Sequence, residues 1–209
     1  MTDPAPRFQP LASGGGNLPP TGGGQKNRPL PKVLTKDQVR GLLKAAWYGS
    51  NPKRDRALLA VTYYLALRRS ETVAIDCQRI DWERGRVRVW ARKTMRWLDL
   101  PLHTHAAQLL RQCVGARTQG PAFVSRKGGR LSDNAAWRVF KRCAAECGIE
   151  TEGGLHLMRH SRATHLLEAG NDIRVIQSLL KQADIRSTMT YVEVARGVLD
   201  RAAASDGLL

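Results

Sequence analysis

Nowhere does the 209-residue chain approach eighteen uninterrupted apolar residues, so the sequence offers no membrane-spanning helix. Its opening stretch, MTDPAPRFQPLASGGG, has neither a basic start nor an apolar core, and no secretory signal is expected. Cysteine is sparse. Cys77, Cys113, Cys143 and Cys147, in a chain without export signals, read as free thiols in a reducing compartment. The most consequential shortage is of acid. Asp and Glu number 18 against 34 Lys and Arg, a formal charge of +16 with an isoelectric point near 10.6. A domain this basic repels itself unless a polyanion is its usual company, which points to nucleic acid. An anionic membrane surface is the other reading, but no lipidation signal or basic amphipathic anchor supports it.

What is present is otherwise ordinary for a soluble domain: 42% hydrophobic and 25% charged residues. Residues 1–33 hold seven of the ten prolines and two triple-glycine runs, with little to bury, and are expected to form a disordered leader. Order is expected from Leu34, a hydrophobic staple beside the capping box Thr35-Lys36-Asp37-Gln38. Val39, Leu42, Leu43, Ala46 and Trp47 then fall on one helical face. The stretch DRALLAVTYYLALRR is apolar nearly all round, a core helix closed by Arg68 and Arg69, with Ser70 capping a short helix through Ile75. Periodicity switches to two at Arg86–Trp90 and Arg96–Leu100, a hairpin around the turn from Arg92 to Met95, with a possible strand at Ile80–Trp82. Helices are expected over 103–116, 132–147, 156–169 and 172–181, with Gly170 as a stop between the last two, and a final one from Tyr191 toward Ala204. The fold class is therefore mainly α (α+β), with one small antiparallel sheet.

The spacing Cys143-x3-Cys147-x8-His156-x3-His160 has the residue types of a zinc site. The gap falls short of the roughly twelve residues of a finger, and the cysteines sit inside a helical pattern rather than a hairpin. Structural thiols and no metal are expected. The other chemistry-bearing groups are Arg68, Lys93 at the hairpin turn, His156 and Arg159 three apart on a helix, and Tyr191 in the polar stretch RSTMTYVE. Guanidinium groups that hold non-bridging oxygens, beside an exposed phenol, suit metal-free phosphoryl chemistry.

Four stretches resemble the tyrosine recombinases of the phage integrase superfamily. Ala66-Leu67-Arg68-Arg69-Ser70-Glu71 is similar to that family's G-L-R-x-S-E box, and Lys93-Thr94 with Leu100-Pro101-Leu102 to its hairpin-lysine signature. Leu155-His156-Leu157-Met158-Arg159-His160 resembles the H-x-L-R-H box, and residues 176–180 and 184–191 resemble the run that ends at the nucleophile. Any one box is weak; four in order are strong. The resemblance covers residues 34–195 and implies a helical catalytic domain that cuts and rejoins double-stranded DNA without metal, ATP or other cofactor. By this likeness Arg68 and Arg159 clamp the scissile phosphate, Tyr191 attacks it, Lys93 protonates the leaving 5′-oxygen and His156 assists proton transfer. Glu71, His160 and Lys181 are expected to support them. It also implies a homo-oligomer, a tetramer on DNA, with accessory proteins possible. Residues 196–209 would be a tail that folds back or docks on a neighbouring protomer. A cytoplasmic, nucleoid-associated protein of prokaryotic or mobile-element origin fits.

Two departures stand out. The family's Leu-Gly-His is Leu180-Lys181-Gln182 here, so the expected donor is an amide that carries no titratable proton. The helical clamp that precedes most relatives' catalytic domains is not expected from the Pro/Gly-rich residues before Leu34, a layout similar to the short fimbrial-phase DNA invertases. The alternatives are a DNA-binding regulator with a weakened active site and a monomeric topoisomerase-like relaxer.

Overall fold

The structure, a computed structural model, describes residues 33–91, 95–150 and 153–180. Thr35 caps α1 (Lys36–Ala45) reciprocally: the Gln38 N–H donates to the Thr35 hydroxyl and the Thr35 N–H to the Gln38 side chain. Val39, Leu42 and Leu43 face the core as the spacing required. Trp47 does not. A 3₁₀ turn over Ala46–Tyr48 overwinds the chain after α1 and leaves Trp47 48% exposed, with the Arg56 guanidinium 5.1 Å from its ring centre.

The core helix α2 (Pro52–Tyr64) starts with proline in its first turn and an Asn51 cap, and ends earlier than its apolar run suggests. Ala66 takes the left-handed conformation (φ 49°), which stops the helix and turns the chain. Arg68 therefore does not close α2. It opens α3 (Arg69–Val73), where its own N–H donates to the Glu71 carboxylate; the cap belongs to this pair rather than to Ser70.

A three-stranded antiparallel sheet follows, in the order β1 (Ile80–Asp81), β2 (Arg86–Ala91), β3 (Arg96–Pro101). Register pairs Val87 with Leu100 and Val89 with Leu98 on the buried face, and Trp90 with Trp97 on the other. Alternation of apolar and polar residues on β2 and β3 thus reports burial directly.

Then come α4 (Thr104–Val114), α5 (Asp133–Glu146, capped by Ser132), α6 (Gly154–Glu168) and α7 (Ile173–Leu180). α2 lies at the centre, packed by α1, α4, α5 and α6 around Leu58, Leu59, Leu110, Phe123 and Phe140. A smaller cluster of Ala66, Ala163, Ile176 and Leu180 holds α7 against α6 and the α2–α3 turn. The four thiols are free. Cys143 is fully buried in α5, and burial pushes it and Cys113 up to about 11, which makes both poor nucleophiles. Among the described residues no helix is long and apolar enough to cross a membrane.

Candidate active site

The left-handed turn at Ala66 aims Arg68 away from the core, and hydrogen bonds from two elements hold it there. The carbonyl of Arg68 accepts from the Thr72 N–H and the Thr72 hydroxyl. Thr72 meets Thr62 of α2 at 3.2 Å, and the Thr62 hydroxyl donates to Leu58 O. Arg68 Nη1 donates to Glu71 Oε1 at 2.9 Å and its N–H to Oε2 at 2.8 Å. Glu71 is 2% exposed, and these contacts satisfy both of its buried side-chain oxygens.

α6 brings the second arginine. Arg159 is 2% exposed and its Nη1 lies 3.8 Å from Glu71 Oε2, so one carboxylate lies between the two guanidinium groups. Arg159 also donates from Nη1 to the Ala66 carbonyl and from Nη2 to the Leu180 carbonyl. The three-residue spacing sets His156 and Arg159 on one face of α6, with His156, at the start of the helix, the more exposed of the two and Arg159 buried.

His156 and His160 meet edge to face at 4.3 Å. Burial, then the positive charge of Arg159 and Arg68, lowers the pKa of His156, with Glu71 opposing. Burial, then His156 and Arg159, lowers that of His160 to about 4. Both imidazoles are neutral at neutral pH, hence able to accept a proton or a hydrogen bond.

Behind these groups is a contact that the sequence reading did not single out. Tyr63, near the end of α2, and His165 of α6 share a 2.7 Å hydrogen bond, which ties the strand of chain entering the Ala66 turn to the helix that carries Arg159. Nothing in the spacing of His165, which belongs to none of the recognised boxes, distinguishes it from a packing residue.

Arg68, Glu71, His156, Arg159 and His160, drawn from two distant stretches, are thus brought together. Lys93 falls in the β2–β3 connection, and Lys181, Gln182 and Tyr191 follow α7; all four lie outside the described residues. So do the residues 1–32 and 181–209 that hold most of the expected leader and all of the tail.

Comparison with known proteins converges on one group. The model of the phage integrase family matches residues 32–197. The chain is 35% identical over 192 residues to tyrosine recombinase XerD of Mycobacterium leprae (strain TN), covering 84% of this chain and 60% of that protein. It is 37% identical over 195 residues to tyrosine recombinase XerC of Azotobacter vinelandii, covering 90% and 62%. The chain therefore spans about 60% of the length of these relatives. Among solved structures, XerA recombinase superposes with a TM-score of 0.72 at 21% identity, covering 90% of this chain and 68% of that one. XerH recombinase bound to its palindromic difH substrate gives 0.69 at 20%, covering 84% and 53%. At such identities these two report a shared fold.

Proposed function

Since its residues 32–197 match the family model, the chain belongs to the phage integrase family, and on that premise we propose that it cuts and rejoins DNA strands at specific sites through Tyr191. The carrying observation is the meeting of Arg68 and Arg159, from separate parts of the chain, at the buried Glu71 carboxylate. Two guanidinium groups held side by side supply the converging positive charge and N–H donors that a pentacoordinate phosphorane requires.

In this reading the Tyr191 oxygen attacks the scissile phosphorus, a phenolic O–P bond forms and the P–O5′ bond breaks. The phenolic proton passes to His156, whose depressed pKa keeps it neutral and ready to receive it. Lys93 gives a proton to the departing 5′-oxygen. The 3′-phosphotyrosyl ester retains the energy of the broken bond, so rejoining to another 5′-hydroxyl needs no ATP. Glu71 orients both arginines, and His160 backs His156. Arg159 reaches a non-bridging oxygen by exchanging the Leu180 carbonyl for it, which couples phosphate binding to the end of α7. Lys181 and Gln182 follow at once in sequence, and the Gln182 amide supplies a donor. The substrate is double-stranded DNA held by a homo-oligomer, a tetramer, with residues 196–209 docking between protomers and accessory proteins assisting, in the cytoplasm at the nucleoid.

Replacing Tyr191→Phe tests this: the variant retains DNA binding and yields no covalent complex with a suicide substrate. Covalent complex from the variant overturns the assignment. One observation favours a second reading. Gln182 stands where the family's histidine is expected, and losing such a donor outright costs about 10²–10³ in rate. A DNA-binding regulator descended from a recombinase would show no adduct either as wild type or as Gln182→His.

A further inference from the structure

The solvent-facing side of the sheet takes no part in the chemistry above, yet it is not an ordinary polar surface. On β2 it presents Arg86, Arg88 and Trp90; on β3, Trp97 and Asp99. Trp90 and Trp97 are direct cross-strand partners with ring centres 5.3 Å apart, and Trp97 remains 43% exposed. Register sets Arg88 opposite Asp99, but Asp99 is taken by Arg86, whose Nε donates to it at 3.0 Å. Arg88 instead lies over Trp97, 5.6 Å from its centre. Arg79, from the turn before β1, approaches the same ring to 4.8 Å. Neither Arg79 nor Arg88 has an ion-pair partner among the described residues. Beside them runs a groove of about 610 Å³ lined by Arg79, Trp82, Arg84, Arg86 and Arg88, with Asp81, Glu83 and Asp99.

Exposed indole with guanidinium planes over it extends a π surface and rims it with N–H donors. Arg79 and Arg88 thus lie over this ring rather than in an ion pair with a described residue, which leaves their N–H donors for a ligand. Such a platform fits a flat, acceptor-edged base with a phosphate on either side better than it fits a carboxylate side chain, which has no face to stack. Trp90 is one residue from the end of β2, and the connection that holds Lys93 follows it in sequence. We infer that the outer sheet face is a binding site for unpaired nucleic-acid bases, stacked on Trp97 and held by Arg79 and Arg88. Its natural occupant is a strand opened next to the cut. The site stands or falls independently of Tyr191.

Because the whole chain is strongly basic, the test must separate stacking from charge. The full-length protein is titrated with a fluorescein-labelled thymidylate 15-mer and with an abasic deoxyribose-phosphate 15-mer of equal charge. The wild type prefers the base-bearing strand by roughly ten-fold. Trp97→Leu, and separately Arg79→Gln, each with an unchanged circular dichroism spectrum, lose most of that preference. Tyr191→Phe keeps it. Equal binding of the two strands by the wild type overturns the inference, as does a preference unaffected by Trp97→Leu. An oligoglutamate 15-mer serves as the third probe: Trp97-dependent binding of it that exceeds binding of the thymidylate strand assigns the face to an acidic protein partner and likewise overturns the inference.

Discussion

Acid should loosen this domain through His160. Its imidazole is held down to about 4 by burial, by His156 edge-on at 4.3 Å and by the Arg159 charge, whereas an unfolded histidine titrates near 6.5. Between those two values the unfolded chain binds a proton that the folded chain refuses. Stability is therefore complete above pH 6.5 and falls as pH drops toward 4. At about 1.4 kcal/mol per pH unit the gap amounts to roughly 3 kcal/mol, a large share of the 5–15 kcal/mol typical of a domain. The pKa values of His156, His165 and His103 are lowered as well, so their contributions carry the same sign. Urea unfolding followed by circular dichroism at pH 7.5, 6.5, 5.5 and 4.5 reads the effect, with His160→Gln as the comparison. The wild type should lose more stability than the variant by about 2–3 kcal/mol between pH 6.5 and 4.5. Identical slopes for the two proteins would refute the reasoning.

Other perturbations probe the same site. Glu71→Gln removes the carboxylate that pairs with both Arg68 and the buried Arg159; unfolding midpoints should report a loss of about 1.5–3 kcal/mol, with a matching drop in strand cleavage. Ala66→Gly relieves about 1–2 kcal/mol of left-handed strain but deletes a fully buried methyl worth about 0.8 kcal/mol or more. Its stability should change by less than about 1 kcal/mol, and a loss beyond 2 would show that the φ of 49° is not strained. DNA affinity measured from 50 to 200 mM salt should fall steeply, with a log–log slope near −0.9 for each phosphate neutralised; a flat profile would contradict a charge-driven footprint.

Local chemistry made much of this fold readable. Thr35 with Gln38 announced α1, and the alternation in Arg86–Trp90 and Arg96–Leu100 gave both strands and the buried face, because cap and pleat are set by residues within a few positions. The misreadings share a cause. The run DRALLAVTYYLALRR continues apolar past Tyr64, so pattern alone carries the helix to Arg69; the break lies in the backbone of Ala66, a residue with no turn propensity of its own. Trp47 was apolar at helical spacing, but a single overwound turn rotated it to solvent. At the site, residue types brought out Arg68, His156 and Arg159, and the resemblance to the recombinase boxes added Glu71 and His160. The depth of Arg159 and its bonds to the Ala66 and Leu180 carbonyls were not legible, since they depend on how α6 meets two other elements. The Tyr63–His165 hydrogen bond escaped for the same reason.

The proposal as a whole is most directly tested by trapping the protein on a nicked suicide duplex, digesting the adduct and sequencing the DNA-linked peptide by mass spectrometry. The account predicts a 3′-phosphate esterified to Tyr191. Attachment at another residue, or attachment through a 5′-phosphate, would contradict it.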